Sequence, residues 1–124
     1  MGNFAAAKVL IERAKAINGD QTMSEFFRSD AEMMAHTFGM VLGAASCCDV
    51  VSHERLDTTA EKMKTALSAA ATNGREERAA YDEFSAAVVA GRRAVQQGQI
   101  QDWAAENALR QIEHDLDEAP LMLD

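Results

Sequence analysis

The stretch TFGMVLGAASCCDVVSH, residues 37–53, decides the fold because it is the least polar part of the chain. It continues a helical pattern in which Met34, Phe38 and Val41 share one face. From Phe38 onward the other faces are apolar as well, and a helix that is apolar all round is normally a buried one. The sequence therefore predicts a central core helix over about residues 30–51.

The composition indicates that the rest of the chain is helical too. The chain has 124 residues, which is the size of one ordinary domain, and 48% of them are hydrophobic. It contains 24 alanines and only one proline, which are the best and the worst helix formers respectively. We therefore predict an all-α protein with a real hydrophobic core.

Capping signals and periodicity place further helices around the central one. The segment SDAE at 29–32 predicts a capping box, and TTAE at 58–61 predicts a second one with Thr58 as the cap. The helices are expected at 4–17, at about 30–51, from the second box to residues 73–74, from near 75 to 98, and at about 100–118. This predicts a compact single-domain bundle of about five helices over residues 1–124.

The net charge of −8 restricts the classes of partner. Residues 1–101 hold thirteen acids against eleven bases, whereas residues 102–124 hold seven acids against one base. Binding to the phosphate backbone of nucleic acid or to an anionic membrane surface needs clustered lysine and arginine. We therefore expect neither direct nucleic-acid binding nor membrane binding, and expect a protein partner with a basic surface instead.

The glycines of the opening stretch indicate close helix packing. Gly39 and Gly43 are one turn apart, and Ala35 precedes them in the same row. Small residues at this spacing allow another helix to approach closely. We favour packing inside the bundle, and a homodimer interface is the alternative.

The cysteines of the same stretch do not form a strong metal or thiol motif. Cys47 and Cys48 are adjacent, so on a helix their side chains diverge by about 100°, whereas zinc sites separate their cysteines by two to four residues. His53 follows them, and His36 lies too far away along a straight helix. Asp49 and the nearby helix end both oppose a reactive thiolate. Packing is the favoured role of both cysteines.

The sequence predicts a protein that is not an enzyme and holds no cofactor or metal. It contains no P-loop, no dinucleotide-binding fingerprint and no nucleophile elbow. The apolar run from residue 38 to 51 is shorter than the roughly 20 residues of a membrane-spanning helix. No secretory signal is visible and two adjacent cysteines are not a disulfide framework, so we expect a cytoplasmic location.

The C-terminal segment EHDLDEAPLMLD, residues 113–124, is the most unusual surface feature. It combines acids with leucines, and such a segment can dock on a basic groove. Residues 119–124 either fold back to bury their leucines, form a flexible solvated tail, or bind the partner. The predicted partner-binding residues are Asp102, Glu106, Glu113, Asp115, Asp117 and Glu118.

We therefore predict a non-enzymatic, acidic protein-protein interaction module, for example an inhibitor that mimics nucleic acid on a basic surface of its partner. Two alternatives stay open. The first is a structural or assembly subunit that forms a homodimer through the Gly39/Gly43 row or through the end that carries Trp103. The second is a bundle that binds a small molecule or a metal with Cys47, Cys48 and His53.

Overall fold

The computed structural model describes residues 29–118, which form four α-helices connected by short loops. This part of the chain contains no strand, so the prediction of an all-α protein is confirmed for it. The first predicted helix, at 4–17, and the tail at 119–124 lie outside the described residues. The helices are α1, Asp30–Ala45; α2, His53–Ala70; α3, Gly74–Gln96; and α4, Asp102–Glu118.

Helix α1 is the centre of the fold, as the opening stretch predicts. It packs against each of the other three helices, and most extensively against α3. Met33, Met34 and Phe38 are among the largest fully buried side chains. Because α1 is apolar on nearly every side, its burial supplies much of the hydrophobic stabilisation of the described part.

The central helix ends earlier than the predicted residue 51. After Ala45 the chain leaves the helix, and the Ser46 hydroxyl donates to the carbonyl of Gly43 at 2.6 Å. The N–H of Cys48 donates to the carbonyl of Ala45 at 2.9 Å, which tightens the last turn. The N–H of Val51 then donates to the carbonyl of Cys48 at 3.1 Å and closes a turn. Hydrophobicity continues past Ala45, but the helical hydrogen bonds do not.

The first predicted cap is confirmed. The N–H of Glu32 donates to the Ser29 hydroxyl at 3.1 Å, at the start of α1. Helix α3 begins in a similar way, since the N–H of Glu76 donates to the side-chain oxygen of Asn73 at 2.9 Å. Gly98 follows α3 with a φ of 75°, a left-handed conformation that suits glycine.

The second predicted cap is wrong. Helix α2 begins at His53, and its cap is Ser52, whose hydroxyl accepts the N–H of Arg55 at 3.1 Å. Thr58 lies inside α2 and is exposed. Both segments offer a hydroxyl in front of helix-forming residues, and the helix extends back to the earlier one because that adds hydrogen-bonded turns.

Glycines on both helices allow α1 and α3 to pack at very short range. A Cβ atom on Gly43 would lie 1.9 Å from the carbonyl oxygen of Val88, and one on Gly91 would lie 2.1 Å from that of Met40. Gly39 faces α3 in the same way. The predicted packing inside the bundle is confirmed, because α3 occupies the Gly39/Gly43 row of α1.

Contacts between the helices define one end of the bundle. His36 pairs with Glu83 at 3.0 Å and Ser46 contacts Arg92 at 3.4 Å, so α1 and α3 run in the same direction. The Cys48 thiol contacts the carbonyl of Asp102 at 3.4 Å. The ends of α1 and α3 therefore lie beside the start of α4. We call residues 46–52 and 97–103 the loop end.

None of the four described helices is both long enough and apolar enough to cross a membrane.

Candidate interaction surface

An ion-pair network joins α2 to α4 and involves several of the predicted partner-binding acids. Arg55 of α2 donates from Nε to Glu113 Oε2 at 2.9 Å and from Nη2 to Glu113 Oε1 at 2.6 Å. The Thr59 hydroxyl donates to Glu113 Oε2 at 2.8 Å. Such a bidentate arrangement holds the guanidinium and the carboxylate in one plane, and both side chains are partly buried.

Two further acids of α4 extend the same network. Glu106 lies 3.6 Å from Arg55 Nη1 and accepts from Arg110 Nη2 at 2.7 Å. Asp117 pairs with Lys62 of α2. Because Arg55 and Lys62 follow one another along α2 in the same order as their partners along α4, these two helices also run in the same direction.

The network changes the proton affinities of its members. The hydrogen bonds from Arg55 lower the pKa of Glu113, although burial acts in the opposite direction, and the Thr59 hydroxyl adds to the lowering. The hydrogen bond to Glu113 raises the pKa of Arg55 further, against the effect of burial. Both groups are therefore charged at neutral pH, and the pair fastens α4 to α2.

The remaining predicted acids are placed differently from one another. Asp102 is exposed on the first turn of α4, whereas Asp115 is buried with 6% of its surface accessible. Glu118 is the last residue of α4, and its side chain lies outside the description. The structure thus brings Glu106, Glu113 and Asp117 together on the side of α4 that faces α2. Their role in binding a partner stays a prediction.

A row of carboxylates on the outer side of α2 is the feature that sequence reasoning missed. Glu54, Asp57 and Glu61 are three and four residues apart, so they project from one side of the helix over roughly 10 Å. All three are exposed, and within residues 29–118 none of them forms an ion pair. Lys64 follows one turn later and ends the row. We call Glu54, Asp57 and Glu61 the acidic ridge.

The sequence did carry a signal for the acidic ridge, namely the spacing of its three acids. The net charge of the segment concealed this signal, because α2 also contains Arg55, Lys62 and Lys64 and is nearly neutral as a whole. Only the tertiary structure shows that Arg55 and Lys62 are neutralised by α4, while the acids of the ridge, which project roughly 100° around the helix from them, are left in solvent.

An open groove of about 450 Å³ lies between α2 and α4. It is lined in part by Arg55, Lys62, Glu113 and Asp117. Glu54 of the acidic ridge lines the groove as well. Because the two cations already pair with carboxylates of α4, Glu54 is the charged lining residue that has no ion pair within residues 29–118.

The cysteines lie at the loop end and serve its packing. Cys48 is buried, and its sulfur lies 3.4 Å from the carbonyl oxygen of Asp102 and 3.8 Å from that of Ala44, the two acceptors within reach of its single S–H. Burial raises the pKa of Cys48, and the neighbouring carboxylates, Asp102 first, raise it further. Cys47 is partly exposed and contacts the carbonyl of Arg92 at 3.8 Å. Within residues 29–118, no three histidine, cysteine or acidic side chains are grouped so that they could hold a metal ion.

Comparison with known proteins gives no relative: no protein family, no curated protein and no solved structure matches this chain. Its function is therefore inferred from its own residues.

Proposed function

We propose that this protein is a non-enzymatic interaction module whose acidic surface binds a basic surface of a protein partner. The observation that supports this proposal best is the acidic ridge of α2, three exposed carboxylates with no ion pair among the described residues. Exposed acids are individually ordinary on a protein surface. What distinguishes the ridge is that two of the three lysine and arginine side chains of the same helix, Arg55 and Lys62, already pair with carboxylates of α4. The third, Lys64, lies just beyond the end of the ridge.

The division of charge between the two sides of α2 follows from the α4 network. Arg55 and Lys62 would offset the ridge if they were free in solvent, but Glu113 and Asp117 hold them against α4. The acids of α4 thus act on the surface indirectly. They leave a negative potential on α2, and a potential of this kind steers a basic partner toward the surface during encounter.

The most specific form of the proposal is an inhibitor that occupies a nucleic-acid-binding surface. Such surfaces carry lysines and arginines spaced to meet successive phosphates. Carboxylates that repeat along a helix, as Glu54, Asp57 and Glu61 do, present negative charges to the same cations. Binding of this type competes directly with nucleic acid.

Affinity capture tests the proposal. The purified protein is used to capture partners from a lysate of its source at low and at high salt, with the bound proteins identified by mass spectrometry. We expect a basic protein whose capture is weakened by salt, because exposed charges are screened. The triple variant Glu54→Gln, Asp57→Asn, Glu61→Gln should lose most of this capture.

The control for this capture is a variant with the same change of charge elsewhere. Asp30→Asn, Glu77→Gln, Asp82→Asn removes three carboxylates from α1 and α3. It should retain the partner. Equal capture by the ridge variant and the wild type, or equal loss in both triple variants, would show that the acidic ridge is not the binding surface.

A further inference from the structure

The junction between α2 and α3 contains a chemically labile pair, Asn73 followed by Gly74. An asparagine loses its side-chain amide when the backbone nitrogen of the next residue attacks the carboxamide carbon. Every residue other than glycine places a Cβ atom near the attacking nitrogen, whereas glycine has none and leaves the backbone free to rotate. Asn73 is exposed, so water and hydroxide reach it. The sequence and the position of this pair therefore both favour the reaction.

The backbone nitrogen of Gly74 is free of helical hydrogen bonds. Gly74 is the first residue of α3, and the first four N–H groups of a helix have no acceptor within that helix. A Cβ atom on Gly74 would meet nothing within 4 Å, so the space around this residue is open. Neither pairing within the helix nor packing therefore protects the Asn73–Gly74 peptide bond.

The contacts that restrain Asn73 are those of the helix cap. Its side-chain oxygen accepts the N–H of Glu76 at 2.9 Å, and its backbone is extended, with φ −158° and ψ 172°. Its Nδ2 donates to the Thr72 hydroxyl at 3.4 Å. Closing a five-membered ring needs the Cα–C bond of Asn73 to rotate away from this extended conformation. Only the first turn of α3 has to open for this rotation, and helix ends open at little cost in free energy.

We propose that Asn73 is a site of spontaneous deamidation. Hydroxide removes the proton of the Gly74 N–H, the nitrogen bonds to Cγ of Asn73, and the carboxamide nitrogen takes up a proton and leaves as ammonia. The product is a five-membered succinimide ring. Water then opens the ring at one of its two carbonyl carbons, so that one water is consumed and one ammonia is released overall. This inference is independent of the proposed function.

The two products of ring opening differ at the start of α3. When water breaks the bond from nitrogen to Cγ, residue 73 becomes an aspartate, which caps a helix as well as asparagine does and places a negative charge at its N-terminus. When water breaks the bond to the main-chain carbonyl carbon, the product is isoaspartate. Its backbone runs through Cβ and Cγ and is one atom longer, so the bond from the Glu76 N–H is lost. Both products add a carboxylate to a chain whose net charge is already −8.

Peptide mapping of the full-length protein tests the proposal. The folded protein is incubated in mildly alkaline buffer at physiological temperature, and its tryptic peptides are separated and identified by mass spectrometry. Trypsin cleaves after Lys64 and Arg75, so the peptide of residues 65–75 contains Asn73 and no other asparagine. We expect this peptide to acquire aspartate and isoaspartate with time. Asn107, which lies within α4 and precedes an alanine, is the internal control and should stay intact.

Two variants separate the chemistry from the fold. Gly74→Ala should slow the reaction about tenfold or more, because its Cβ atom hinders the attack and restricts the backbone. Urea opens the cap, so the wild type should react faster in urea, and Gly74→Ala should remain slower than the wild type there. Asn73→Asp provides the mass and the elution time of the aspartate product, and its unfolding midpoint should match that of the wild type because the cap is kept.

Two results would overturn the inference. The first is a 65–75 peptide that stays unmodified in the folded protein over a time in which the wild type in urea is fully converted, because the cap would then prevent the reaction. The second is an equal rate in the wild type and in Gly74→Ala, both folded and in urea, because the reaction would then not pass through the nitrogen of Gly74.

Discussion

At the scale of single residues, Glu113 shows why the acids of α4 cannot be assigned to a surface from their spacing. It accepts two hydrogen bonds from Arg55, which is 58 positions away in the sequence, and one from Thr59. A pairing at that separation leaves no trace in local periodicity. Nothing local in the sequence showed that the side of α4 that carries Glu106 and Glu113 faces α2.

The lowered pKa of Glu113 predicts a pH-dependent contribution to stability. Because the folded state favours the charged carboxylate, this contribution is present above the ordinary glutamate pKa of about 4.3 and is lost as the pH falls through the lower folded-state pKa. Glu113→Gln should cost about 1–3 kcal/mol at neutral pH, and the difference from the wild type should shrink in acid below about pH 4. Urea denaturation at a series of pH values measures both the loss of unfolding free energy at neutral pH and its decrease in acid.

The control for this measurement is Glu61→Gln, which removes an exposed acid of α2 that forms no ion pair among the described residues. It should change the free energy of unfolding by no more than about 0.5 kcal/mol at any pH. A difference between wild type and Glu113→Gln that stays constant down to strong acid would contradict the role given to the Arg55 pair.

At the scale of the helices, the sequence predicted that each described helix exists, but it did not predict where each one begins and ends. The recurrence of apolar residues every three or four positions is a local property of the sequence, so this pattern indicated all four described helices. Their ends depend on which hydroxyl or carbonyl completes the hydrogen bonds. Ser46 ended α1 well before the apolar pattern stopped, and Ser52 rather than Thr58 began α2.

The two candidate caps of α2 can be separated by paired substitutions. Ser52→Ala removes the acceptor of the Arg55 N–H and should cost about 1 kcal/mol of unfolding free energy. Thr58→Ala should be neutral or slightly stabilising, since Thr58 is exposed within the helix and alanine is the better helix former. Chemical denaturation of both variants checks this, and a larger loss for Thr58→Ala would show that α2 begins later.

The packing of α1 on α3 gives a second prediction at this scale. Gly43→Ala places a Cβ atom 1.9 Å from the backbone oxygen of Val88, and backbone cannot move aside as a flexible side chain can. We expect a loss of about 3 kcal/mol or more, or a chain that does not fold. Thermal and urea unfolding measure the loss.

Gly74→Ala is the matched control for that substitution. A Cβ atom on Gly74 meets nothing within 4 Å, and the residue begins α3. Alanine should therefore stabilise the protein, by about 0.4–1 kcal/mol. Similar stability in the two alanine variants would mean that α1 and α3 are not in close contact.

At the scale of the whole molecule, the acidic balance of the sequence was visible but its location was not. The excess of acid belongs to residues 102–124 by count, yet within the described part the outer side of α2 also presents three acids without an ion pair. Charge counts predict the sign of the charge on a partner's surface. The fold decides which side of the molecule meets it, because internal pairs remove some charges from the surface and leave others.

The salt dependence of the affinity for the captured basic partner tests the central claim most directly. For exposed charges, each carboxylate of the acidic ridge contributes roughly 0.5–1 kcal/mol at low salt, so the triple ridge variant should bind about tenfold or more weakly there. At high salt the wild type and the variant should converge, while the α1/α3 control variant should follow the wild type throughout. An affinity that is independent of salt, or the same in the ridge variant as in the wild type, would contradict the claim that these carboxylates bind the partner.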